Sequence, residues 1–137
     1  MNEQLSIIMG TFERSVEHCS VVAEQKFVDA LKAAGLMQEA LPYVFEVMEK
    51  NPKFSWGRPG YVSDLLEQYR GNGYEELLEA SIKRNPTQQT VWLLYRDAKK
   101  GPEEWRDKLV ALLKEVGERD DIDMSLKFKA QDYVDMI

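Results

Sequence analysis

Apolar residues recur along this chain at steps of three and four, the spacing that lines one face of an α-helix. Leu5, Ile8, Met9, Phe12, Val16 and Cys19 trace a first stripe. Phe27, Leu31 and Ala34 continue the pattern, and Gly35 supplies a stop. Met37, Leu41, Val44, Phe45 and Met48 make the clearest stripe of the first half; Pro42 lies inside it, so that helix begins near Ala40 or kinks there. Val62, Leu65, Leu66 and Tyr69 form a short helix ended by the turn Gly71-Asn72-Gly73. Tyr74, Leu77, Leu78 and Ile82 predict the next helix, and Val91, Leu94, Tyr95 and Ala98 another. Trp105, Leu109, Leu112, Leu113 and Val116 make a strong stripe, and Ile122, Leu126, Ala130, Tyr133, Val134 and Ile137 close the chain. Period-two alternation nowhere competes, so the expected fold is all-α, with about seven or eight helices.

Punctuation supports that reading. Asn85-Pro86-Thr87-Gln88 reads as a helix start, with Asn85 as cap, Pro86 at the first helical position and Gln88 completing a capping box. Gly101-Pro102-Glu103-Glu104 ends one helix and opens the next with acids in the first turn, where the helix dipole favours them. Asp120, Asp121 and Asp123 sit where the last helix should begin. Short connections force neighbouring helices antiparallel. Only the segment from Asn51 to Gly60 is longer, and it holds Phe54 and Trp56. Met48-Glu49-Lys50-Asn51-Pro52 echoes Ile82-Lys83-Arg84-Asn85-Pro86, with the Asn-Pro pairs 34 residues apart, a period found in stacked helix hairpins. The expected architecture is one domain over residues 1–137, a short HEAT-like stack of antiparallel helix pairs, with an irregular bundle as its rival.

Composition narrows the function classes. At 137 residues, 44% of them hydrophobic and 31% charged, the chain has enough apolar surface for a core without staples. Cys19 is the single cysteine, which rules out an internal disulfide. The first residues lack the basic stretch of a signal peptide, and the longest apolar run, Leu109 to Leu113, falls far short of a membrane span. A cytoplasmic location is the default expectation. Charge is uneven: residues 1–50 hold eight acids and four bases, 51–102 six and eight, and 103–137 ten and six, for a net −6. Acidic ends argue against nucleic acid as a direct partner, since phosphate contacts need clustered Lys and Arg. They suit a basic protein partner, although net charge alone also serves solubility.

Candidate chemistry is sparse. His18 adjoins Cys19, but neighbours on a helix point about 100° apart and do not make a nucleophile pair. One His and one Cys are too few for a structural zinc site. Glu75, Glu76 and Glu79 stand in the first turns of a helix, and Asp120, Asp121 and Asp123 lack the glycine and closing glutamate of a calcium loop, so capping and surface charge explain both groups. Arg58, between Gly57 and Pro59-Gly60, marks either a cradle of backbone N–H groups for an anion or a helix start shaped by glycine and proline. Trp92, Tyr95 and Trp105 read as core. Phe54 and Trp56 are either folded back or left out as interface anchors, with folding back preferred. No catalytic residue, metal ligand, cofactor or small-molecule substrate is expected, and no membrane partner.

The middle third is more distinctive. Gly57-Arg58-Pro59-Gly60, then Val62, Leu65 and Tyr69, lead through Tyr74-Glu75-Glu76-Leu77-Leu78 into Ser81-Ile82-Lys83-Arg84-Asn85-Pro86-Thr87 and Thr90-Val91-Trp92-Leu93-Leu94-Tyr95-Arg96. This run, about residues 45–100, resembles a family of small all-helical immunity proteins encoded beside polymorphic or contact-dependent bacterial toxins. The resemblance implies a cytoplasmic protein that binds a cognate toxin, often a nuclease, and occludes its active site. The motif residues themselves read as caps, turns and buried aromatics, so the candidate contacts come from charge instead. Glu115, Glu118, Asp120, Asp121 and Asp123 are the densest acidic stretch and would mimic a nucleic-acid backbone toward a basic toxin. Trp56 and Arg58 complete the candidate set. The alternative is a helical scaffold or adaptor joining cellular proteins.

Overall fold

The computed structural model describes residues 2–16 and 21–137. His18 and Cys19 lie outside the described residues. Among those residues the chain is all-helical: eight helices and no strand. They are α1 (Glu3–Val16), α2 (Val21–Ala34), α3 (Met37–Lys50), α4 (Tyr61–Glu67), α5 (Tyr74–Arg84), α6 (Gln88–Lys100), α7 (Glu103–Glu118) and α8 (Met124–Asp135). Contacts gather them into two compact units, Met1–Tyr69 and Arg70–Ile137.

In the first unit α2 is the hub, packing on α1, α3 and α4. Asn2 caps α1 by accepting the Leu5 N–H at 3.2 Å, and Leu5, Met9, Phe12 and Val16 are buried along one stripe. Gly35 stops α2 as its position implies. At φ +68° it lets its own N–H reach the Lys32 carbonyl and the Leu36 N–H reach that of Leu31, a Schellman turn closed by two bonds. The next helix begins at Met37, not near Ala40, and carries Pro42 in its second turn. Only the one N–H that proline lacks is forgone there, while Ala40, Leu41, Val44, Phe45, Val47 and Met48 are all buried.

In the second unit α6 meets α5, α7 and α8, and α7 also packs on α8. Gly117 is buried on α7, and a Cβ there would come within 3.0 Å of Gln131 Cγ. The missing side chain lets α8 approach closely enough for Gln131 Nε2 to donate to the Gly117 carbonyl at 2.7 Å. The capping frame at 85–88 differs from the sequence reading. Asn85 closes α5, donating its N–H to the Ser81 carbonyl at 2.9 Å. Thr87 is the cap of α6: its side chain accepts the Thr90 N–H at 3.1 Å, and its own N–H donates to Thr90 Oγ1 at 2.9 Å. Two hydroxyls answering each other outweigh an Asn side chain already past the end of the preceding helix. Asn51 closes α3 in the same manner, donating to Val47, so both Asn-Pro pairs mark helix exits.

Candidate protein-binding surface

The five acids proposed from charge are all exposed. Glu115 and Glu118 lie in the last turn of α7, which holds no base. That is where the helix dipole disfavours a carboxylate, so capping, which explains acids at helix starts, does not explain these two. Neither has an ion pair among the described residues. The remaining three are braced. Asp121 accepts both Arg119 Nε and Arg119 Nη2 at 2.8 Å, and that hydrogen-bonded guanidinium holds its carboxyl down at about 2. Arg119 also donates to the Ile82 carbonyl at 3.4 Å, which anchors the 119–123 turn to the end of α5. Asp120 pairs with Lys127 at 3.0 Å, and Asp123 accepts the Ser125 hydroxyl. The turn is therefore fixed, and its charge stays at the surface. No group of three or more metal-ligating side chains occurs among the described residues.

After this turn, α8 exposes two large apolar residues that lie outside the apolar stripe of its sequence. Met124 is 65% and Phe128 53% exposed. Four residues apart, they share one face of the helix, opposite the buried Leu126, Ala130 and Tyr133. Asp132 follows one turn on and is exposed as well. The available signal was phase: Phe128 falls off the stripe that runs through Leu126, Ala130 and Tyr133.

Two candidate contacts from the long connection fare differently. Trp56 is 4% exposed; its ring meets Phe54 edge-on at 4.5 Å and Phe12 at 5.8 Å. It is a core residue of the first unit and presents no surface to a partner, because three rings together exclude more water than one left out. Arg58 is exposed. The backbone N–H groups around it do cradle an anion, but one belonging to the chain. Glu24 of α2 is buried and accepts the Gly57 N–H at 3.0 Å and the Val62 N–H at 3.4 Å. Gly57 and Gly60 touch so closely that a Cβ on either would lie 2.8 Å from the other's Cα. Trp92, Tyr95 and Trp105, expected in the core, are half-buried. Arg96, Lys99 and Lys108 respectively lie over their rings at 4.8, 5.1 and 4.9 Å, covering the faces left open.

One pair of acids was missed as a pair. Glu75 and Asp97 are buried in the second unit, each facing the other's carboxyl. Glu75 Oε1 accepts the Gly71 N–H at 2.7 Å, and Asp97 Oδ1 lies 3.0 Å from Arg70 Nε. Two acceptor groups attract only when one carries a proton. Burial first, then the facing Glu75, push Asp97 up to about 8 against the opposing pull of Arg70. Facing carboxyls are the equipment of acid–base catalysis, but these are covered on all sides and meet no solute unless the helices part. Their evident work is to hold α5 against α6.

Comparison with protein-family models, with curated proteins and with solved structures finds no match to the chain. No helix among the described residues is long and apolar enough to cross a membrane.

Proposed function

We propose that this chain is a cytoplasmic immunity protein that binds a cognate bacterial toxin, a nuclease with a basic substrate channel, and neutralises it by covering that channel. The observation that carries this reading is the run from the end of α7 into α8: five exposed acids, followed directly in the chain by exposed Met124 and Phe128. An aromatic and a methionine ringed by charge is the composition of an interface centre with a polar rim. Acids held out from a braced turn imitate the phosphates that the toxin would otherwise bind, and speed encounter with a basic surface. The resemblance of the middle third to immunity proteins supports the toxin as partner, with the resembling residues acting as scaffold.

Co-expression with the protein encoded immediately beside this chain is the test. Rescue of growth and recovery of a salt-sensitive complex are expected, and a variant carrying Glu115→Lys, Glu118→Lys and Phe128→Asp should lose both while remaining folded. A toxic neighbour that the wild-type chain neither binds nor neutralises would overturn the reading.

A further inference from the structure

The first unit carries a second exposed apolar feature, a groove of about 430 Å³ between α1 and α2. Its floor is the stacked pair Phe12 and Phe27, with ring centroids 4.0 Å apart. Its ridges are Ile7 and Val22, 64% and 55% exposed. Between them the lining is short-chained, Ala23 and Ala30 among it, so the floor stays open. Among the described residues, a single charged side chain, Lys26, lines the groove. Arg14 stands at its rim, laid along Gly10 and donating to Thr11 Oγ1 at 3.4 Å. Glu24, the acid of α2 nearest Lys26 in sequence, is turned inward to Gly57 and Val62. Among the described residues, the charge that lines the groove is therefore positive, in a chain whose net charge is −6, and the exposed Asp29 of α2 is outside that lining.

The geometry points to a docking site for one amphipathic helix of another protein, bearing aliphatic anchors on one face and Asp or Glu beside them to meet Lys26 and Arg14. Size and charge argue for this occupant. From Ile7 to Ser15 the α1 wall is about 12 Å long at the helical rise per residue, which suits about two turns of helix. The whole face of two 14-residue helices is roughly 20 Å by 20 Å, near 400 Å². That is about half of what each partner of a stable dimer covers, so a second copy of the chain is a poor fit. The basic groove also lies in a different unit from the acidic α7–α8 surface, and takes a partner of opposite charge.

The probe is a stapled 16-residue helical peptide with Leu at positions i, i+3, i+4 and i+7 flanked by Glu, compared with the same peptide carrying Lys in place of every Glu. Binding to the full chain is read by fluorescence anisotropy and by methyl shifts in the NMR spectrum. The Glu peptide should bind about tenfold more tightly at low salt, the reach of one or two charge contacts reversed in sign, with shifts confined to Ile7, Ile8, Val22 and their neighbours. Lys26→Glu should invert the preference, and Ile7→Asp should abolish binding without lowering the melting temperature. Phe128→Asp, which disrupts the α8 surface, should leave peptide binding unchanged. Three results would overturn the inference: no binding of either peptide, equal binding of the Lys peptide, or a dimer of the chain that shields the same methyls without peptide.

Discussion

Each unit of the molecule buries a glutamate beneath a connection that contains glycine, and each glutamate accepts a glycine N–H. Glu24 holds Gly57 in the first unit, and Glu75 holds Gly71 in the second. The arrangements then part. Glu24 spends its other oxygen on a second backbone donor, Val62, whereas Glu75 faces another acid, Asp97, with Arg70 as the nearby cation. A carboxylate answered by backbone N–H groups meets only donors. A carboxylate facing a carboxyl needs a proton as well, so the same fastening device makes the second unit sensitive to pH.

Space around the second cluster offers the strongest way to break it. A Cβ on Gly101 would collide with the Asp97 carboxylate and lie 2.5 Å from its carbonyl oxygen. Because backbone cannot swing aside as a side-chain tip can, Gly101→Ala should cost about 3 kcal/mol, measured by urea unfolding. Glu24→Ala should cost about 2 kcal/mol by stranding two backbone donors, with faster amide exchange at Gly57 and Val62; Glu24→Gln, which keeps one acceptor oxygen, should cost less.

The pH dependence sharpens the contrast. Asp97 in the folded state titrates near 8, above its ordinary 3.8, so the folded chain holds a proton that the unfolded chain has released. Stability therefore falls as pH rises from about 4 to about 8, by at most about 1.4 kcal/mol per pH unit for this one proton, and levels off beyond. Asp97→Asn, which keeps the shape and needs no proton, should flatten that slope; a slope that survives would mean the shared proton is absent. Helix caps, by contrast, should not distinguish the units. Asn2→Ala and Thr87→Ala should each cost about 1 kcal/mol in thermal unfolding.

Helix number and type were readable because the apolar period is set by local geometry, and each stripe found a core to face. Boundaries were less readable where two local signals compete: Asn85 and Thr87 can both cap, and the reciprocal bond to Thr90 decides between them. Aromatic burial was readable only in part. Trp56 sits in a connection yet is buried, while Trp92 sits on a helix yet is half-exposed, because ring packing depends on partners far away in sequence. Glu24 gave no signal for the same reason: its donors lie 33 and 38 residues away. The acidic half of the candidate surface was visible as composition. Its apolar half showed only as phase: Phe128 and Met124 fall off the stripe through Leu126, Ala130 and Tyr133, and nothing local says that an apolar residue off the stripe stays exposed.

Amide hydrogen exchange on the chain, alone and bound to the protein encoded beside it, tests that surface most directly. New protection is expected from Glu115 through Phe128, across the end of α7 and the start of α8, weakening as salt is raised. A tight complex whose protection leaves 115–128 untouched would contradict it.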